Sequence, residues 1–330
     1  MCWFCRDIPR FGAAKEDISE DRMDRRAFFV KSIGASALAG SYLAFGKQND
    51  LLDSVAPVVG SAPFDLVAVR GGEPDIMFQK GIEALGGIGA YVKKGQKVVI
   101  KPNVGWDVLP ERGGNTNPKL VTEIIRQCLS AGAKDVYVFD HTCDSWQRCY
   151  KNSGIEAAVK DAGGKMAPGH TENYYHEVSV PKGKVLKSTK EHELVLEADV
   201  FINVPILKHH GSARVTASLK NLMGNVWDRG FWHGNDLHQC IADFGTYRKP
   251  TLNVVDAYYV MKRNGPRGIS VEDVVTMKAQ LLSTDMVAID TASVKLYGAD
   301  PKDIRHIQIA AEQGVGRSDL ENLNIKRITV

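Results

Sequence analysis

The sequence predicts an α/β fold: a largely parallel sheet with helices on both faces, Rossmann-like and three-layered, carrying a strand-rich insertion. Three observations lead there. Short apolar runs bounded by turn residues alternate with helix-periodic segments over residues 63–330, the pattern of βαβ units. The run Val200 to Val204 is apolar enough for an interior strand covered on both faces. Pro118, with Asn117 before it as cap, opens a segment whose Leu120, Val121, Ile124, Ile125, Cys128 and Leu129 form one helical stripe that Gly132 ends.

In order, residues 64–70 read as a short apolar strand, 76–92 as a helix loosened by glycines, and 97–100 as a second strand. The Pro118 helix follows, then a strand over 135–140 and a helix over 155–162. Residues 171–197 mix short apolar pieces with turn residues and form the expected insertion. Beyond Val204, Pro205 is expected to stop the strand, and helices start near 216–222 and 237–244. A strand over 252–256 and an extended piece over 274–282 precede a helix over 286–297, with Asp285 at its start and Gly298 past its end, and a last helix over 303–313.

The 330 residues carry a hydrophobic fraction of 44%, a charged fraction of 25% and a net charge of +3. Acids and bases are nearly balanced and no long basic run occurs, which argues against nucleic-acid binding. Residues 1–22 read as an extension or a mis-set start ahead of Met23, and Cys2 and Cys5 within them are a weak redox or metal pair. Residues 23–46 resemble a twin-arginine export signal: Arg25-Arg26, Phe28 and Phe29, then an uncharged apolar stretch too short to span a bilayer comfortably. Residues 47–62 form a linker, and 63–330 a single domain. The expectation is export through the twin-arginine machinery to the periplasm, cleaved or anchored facing it. Cys128, Cys143, Cys149 and Cys240 are expected as free thiols, although Cys143 and Cys149 are close enough in sequence to bridge a short loop.

Two constellations carry chemistry. Lys101-Pro102-Asn103-Val104-Gly105-Trp106 follows a core strand, and Gly113-Gly114-Asn115-Thr116-Asn117-Pro118 leads into a helix whose start could hold an anion against Lys101. No Walker-type or dinucleotide fingerprint is present. The second runs from Asn203 to Gly224 and places Lys208, His209, His210, Lys220 and Asn221 after an interior strand, at the edge where open α/β sheets bind ligands.

These residues, with Gly132-Ala133, Asn264-Gly265-Pro266, Ser283-Thr284-Asp285, Ala288 and Asp290, resemble the family called domain of unknown function 362, in motif order from about Phe64 to the C terminus. The resemblance implies little chemistry. Some relatives carry ferredoxin-type iron-sulfur segments with C-x-x-C-x-x-C runs; only Cys2 and Cys5 stand in such spacing here, so a self-contained cluster is not expected.

The expected site therefore uses Lys208, Lys220, His209 and His210 as reacting groups, with Lys101, Asn103, Asn115, Thr116, Asn203 and Asn221 binding a small anionic substrate. Lys220, near a helix start, would gain a positive field that lowers its pKa toward general-acid or Schiff-base use. A rival metal site would draw on His209, His210, His233 and His238, although adjacent histidines on an extended segment face opposite ways. Asp256 and Asp243 are candidate carboxylates, with capping or solvation as their plainer roles. Two functions stay open: an exported enzyme acting on a small anion, and a non-catalytic cofactor-binding or maturation factor serving a redox partner, iron-sulfur association included. The identity of any cofactor is unknown.

Overall fold

Alternation along the central strands decides which helix lies where. The computed structural model describes residues 62–330, so the arginine pair, Cys2 and Cys5, and nearly all of the expected linker lie outside the described residues. In chain order the elements are β1 (Leu66–Arg70), α1 (Pro74–Ala84), β2 (Lys97–Pro102), α2 (Pro118–Ser130), β3 (Asp135–Val138), α3 (Trp146–Asn152), α4 (Ile155–Asp161) and β4 (Lys165–Met166). The hairpin β5 (Tyr175–Ser179) and β6 (Ser188–His192) and the short α5 (Glu193–Glu197) come next. They lead into β7 (Val200–Val204), β8 (Ile206–His210), β9 (Arg214–Thr216), α6 (Ser218–Asn221), α7 (Arg229–Gly234) and α8 (Leu237–Tyr247). The chain closes with β10 (Leu252–Met261), β11 (Val274–Ser283), α9 (Met286–Tyr297), α10 (Arg305–Glu312) and β12 (Ile325–Thr329).

The main sheet runs in the order β12-β1-β11-β10-β7-β2-β3-β4, with β8 paired to β10 and β9 paired to β8. Val98, Ile100, Ile202 and Val254 point to one face and meet Phe78 of α1, Ile124 of α2 and Val159 of α4. Val99, Phe201 and Val255 point to the other and meet Leu219 of α6, Phe244 of α8, Ile289 of α9 and Ile307 of α10. The two cores explain why the central strands read as unbroken apolar runs: each residue is buried whichever way it points.

The cap of α2 forms as expected, Asn117 Oδ1 accepting from the Lys119 N–H at 3.0 Å, and Leu120, Val121, Ile124, Ile125 and Cys128 are buried. Gly132 turns the chain out of the helix at a φ of 91°, where a side chain would be strained. Asp285 caps α9 through the N–H groups of Val287 and Ala288, and Gly298 ends it. The insertion is the separate antiparallel pair β5–β6, with Tyr175 opposite His192.

Two features go beyond the sequence reading and one, at Pro205, corrects it. The strand over 274–283 runs antiparallel to both β1 and β10, so the sheet is mixed, though most of its pairings are parallel. Pro205 does not end extended chain; it marks a joint at which β7 becomes β8, and β8 runs beside β10 and folds back on β9. The C-terminal strand β12, parallel to β1 at the sheet edge, was not expected, because its half-exposed residues Ile325 to Thr329 lack a core-strand signature.

Candidate functional site

Strand register builds the floor of the site. Lys101 lies opposite Asn203, Asn203 opposite Asn253, and Asn253 opposite Ser283, so four polar residues on adjacent strands form one row. Period-two alternation turns Lys101 and Asn203 to the same face as Val99 and Phe201, toward α6. Asn203 Nδ2 reaches Asn253 Oδ1 at 3.0 Å and Ser218 Oγ at 3.0 Å, and Asn203 Oδ1 accepts from Asn221 Nδ2 at 2.8 Å. Helix α6 is thereby pinned over the row, and Asp290 of α9 secures its start by accepting from the N–H groups of Ser218 and Leu219.

Asn221 Oδ1 is the hub. It accepts from Lys101 Nζ and from Asn103 Nδ2, each at 2.9 Å. Asn103 Oδ1 in turn accepts from Lys208 Nζ at 3.0 Å. Lys101 also pairs with Asp140 at 2.9 Å, and both side chains are buried. The other oxygen of Asp140 accepts from the Val104 N–H at 2.7 Å, fixing the loop that follows β2. Gly224 is required beneath this pair: a Cβ there would stand 2.0 Å from Asp140 Oδ1 and 2.6 Å from Lys101 Nζ.

The structure brings Lys101, Lys208, Lys220, Asn103, Asn203 and Asn221 together. Lys208 is 1% exposed and Lys220 9%, and neither makes an ion pair among the described residues. Among the described residues Lys208 Nζ bonds only to Asn103 and the Gly114 carbonyl, while Lys220 Nζ meets Met223 Sδ at 3.1 Å. Burial pushes Lys208 down to about 7, with Lys220 and Lys101 adding to the shift. Burial also takes Lys220 down to about 8, helped by Arg229 and Lys101. The depression of Lys220 is thus chiefly desolvation and not the helix-start field expected from the sequence.

Arg229, half-buried on α7, donates to the carbonyls of His141 and Thr142 and to Cys143 Sγ, again with no carboxylate. Four cationic side chains therefore gather around one ion-paired acid, Asp140. His141 stacks on Trp227 with ring centroids 4.9 Å apart, and burial, then Arg229, holds it neutral with a pKa of about 4. These two residues and Arg229 border a cleft of about 940 Å³ that extends toward β6 and Phe231.

Several expected residues are committed elsewhere. Asn115 is buried with both side-chain atoms bonded to the Trp106 backbone, and Thr116 Oγ1 bridges the Asn103 N–H and the Val204 carbonyl. They brace the loop, leaving no free polar atom for a ligand. The start of α2 is occupied by the chain's own carboxylate: Asp256 accepts from the Asn117 N–H at 2.7 Å, and burial raises it to about 6. Asp243 holds the Val185 and Leu186 N–H groups at the base of β6. His209 and His210 do face different partners, accepting from Gly265 N–H and Ala213 N–H, and His238 meets His306 Nδ1 at 3.1 Å. His233 is exposed on α7. Among the described residues no three metal-ligating side chains stand together, so the four histidines do not assemble. Cys143 and Cys149 are free thiols, the first exposed and the second buried.

With this geometry in place, the sequence model of the family described as domain of unknown function (DUF362) matches residues 98–295, a span holding every side chain of the cluster. The chain belongs to that family. A relative by sequence, a thylakoid-associated protein of Synechocystis sp. (strain ATCC 27184 / PCC 6803 / Kazusa), is 27% identical over 251 residues, covering 71% of this chain and 73% of that one. Among solved structures, the lactate racemase apoprotein from Thermoanaerobacterium thermosaccharolyticum aligns with a TM-score of 0.39 at 13% identity over 64% of this chain and 53% of its own. A Thermotoga maritima protein aligns at 0.37 and 10% over 73% and 60%. The chain thus spans between half and three fifths of those two solved chains.

In this DUF362 chain the sequence reading missed Arg229, Asn253, Ser218 and the pairing role of Asp140. Asn253 was recoverable, because a lone asparagine in an apolar strand run needs a buried partner. Arg229 had no such signal.

Proposed function

We propose that the lysine cluster binds a small anion and acts on it, with Lys208 and Lys220 moving protons. One observation carries this reading: Lys208, Lys220 and Arg229 are held together without a counter-carboxylate among the described residues, an arrangement that is costly until an anion joins it. Amines near pH 7 to 8 suit proton transfer in both directions at neutral pH. The asparagine network supports the same reading, since it fixes Lys101 and Lys208 from rigid strands and leaves the ligand to supply the missing acceptors.

The reading includes export. Arg25 and Arg26 ahead of an uncharged stretch support twin-arginine translocation and a periplasmic or periplasm-facing place. The description of the Synechocystis relative as thylakoid-associated supports a location beside a membrane. Native mass spectrometry of the purified full chain, with sulfate and glyoxylate added in turn, tests the site: a bound anion that is lost on changing Lys208 and Lys220 to Met is expected. No bound anion at millimolar concentration would sink the reading.

A further inference from the structure

Cys143 lies in the loop after β3, on the same edge as the lysines. Its N–H donates to the Gly105 carbonyl at 2.8 Å, and a Cβ at Gly105 would stand 3.7 Å from Cys143 Sγ and 3.9 Å from Asn103 Oδ1. The thiol therefore sits over the same stretch of loop as the acceptor that holds Lys208. Arg229 Nη1 donates to Sγ at 3.4 Å. Cys128, Cys149 and Cys240 are buried, whereas Cys143 is exposed.

A lone thiol would carry little, but a second observation points to a ligand beside it. Lys220 is nine-tenths buried, and among the described residues its ammonium meets only the Met223 sulfur and no oxygen acceptor. Arg229 reaches the thiol directly, and Asn103 Oδ1, the acceptor of Lys208 Nζ, stands with Sγ within 4 Å of the one Gly105 position, so cations of the cluster border the sulfur. Nucleophile, oxyanion donors and anion-binding cations are then within one site, the arrangement a thiol needs for covalent chemistry.

We propose that Cys143 Sγ is a nucleophile that adds to the carbonyl carbon of a small substrate whose neighbouring anionic group is held by Lys208, Lys220 and Arg229. The proposal rests on the anion-site reading and adds the reacting atom and the substrate class. In the step, Sγ as thiolate forms the S–C bond and the carbonyl π pair moves to oxygen. That oxygen takes a proton from the ammonium of Lys208 or Lys220, leaving a thiohemiacetal and a neutral amine. No electron is gained or lost, and the reverse path returns each atom.

The test compares alkylation of Cys143 by iodoacetate, an anion, and by iodoacetamide, which is neutral, mapped to the residue by peptide mass spectrometry in the full chain. The expected iodoacetate-to-iodoacetamide rate ratio is at least ~10-fold higher in the folded protein than in guanidinium, the factor that ~1.4 kcal/mol of favourable field provides. It should fall toward the unfolded value in the Lys208→Met, Lys220→Met double variant and under sulfate. Carbonyl-labelled glyoxylate should give a sulfur-bound carbon resonance that Cys143→Ser abolishes. Equal ratios in folded and unfolded protein, or an adduct that survives Cys143→Ser, overturn the proposal. A sulfate-induced rise in the wild-type melting temperature in the same samples then leaves the anion site standing, and its absence removes both readings.

Discussion

Asn103 and Lys208 lie 105 residues apart in the chain, yet Oδ1 of the first accepts from Nζ of the second at 3.0 Å. Asn103 belongs to the loop after β2, and Lys208 to the strand that follows Pro205, so one hydrogen bond couples the two constellations. Asn221 couples both to Lys101.

Changing Lys208 or Lys220 to Met keeps most of the stem and removes a buried charge. Anion affinity should fall about 10- to 100-fold per variant, as expected from ~1.5–3 kcal/mol for a charged hydrogen bond. The ligand-free variants should be no less stable than wild type, because an unpaired buried charge has been deleted. Titration calorimetry with sulfate and thermal melts check the two halves. Unaltered affinity in both variants would leave the lysines as packing residues.

The depressed lysines also set opposite pH trends. In the unfolded chain both lysines stay protonated to about pH 10.4. In the fold Lys208 and Lys220 lose their protons from about 7 and about 8 upward. Between those limits the unfolded state binds more protons, so ligand-free stability should rise as pH rises from 7 toward 10. Sulfate affinity should fall over the same interval, since sulfate needs the charged amines. Melts and titrations at pH 6.5, 7.5 and 8.5 would show the crossing; parallel trends would contradict the assignment.

Gly224→Ala should be among the most damaging small substitutions in the chain. Its methyl group would occupy the space of the Lys101–Asp140 contact, and separating a buried ion pair costs about 3–5 kcal/mol. Urea denaturation should show a loss of that order or a failure to fold. A loss below ~1 kcal/mol would mean that the pair relaxes without difficulty, contrary to its enclosure.

Replacing Arg25 and Arg26 by Lys should abolish export while the cytoplasmic protein stays folded, because the change preserves charge and alters only what a twin-arginine receptor reads. Fractionation with an immunoblot checks it. Normal periplasmic levels would end the export proposal.

Much of the layered architecture was legible because burial on both faces writes itself into strands such as Val200–Val204, and caps such as Asn117 and Asp285 announce helix starts. Strand direction was not, since β11 has the same residue pattern whether parallel or antiparallel to β10. That Lys101 and Lys208 need buried partners was legible, because each is a charge within or beside an apolar strand run. Asp140 and Arg229 were not readable in their roles, because nothing local distinguishes a strand-end acid that solvates from one that meets a lysine far away in the chain. Asn115 and Thr116 misled for the opposite reason: polar residues in a glycine-containing loop look available until their backbone partners are seen.

Asp256 at the start of α2 has a further consequence for the kind of receptor this is. Cradles made of backbone amides hold their guests at any pH, because an amide does not titrate. Here the helix amide is already occupied by an internal carboxylate, and the guest is left to amines that neutralise around pH 7 to 8. Such a grip can be loosened by moving one or two protons, so capture and release need no large movement of the chain, only a change in acidity or a proton handed over by the guest itself.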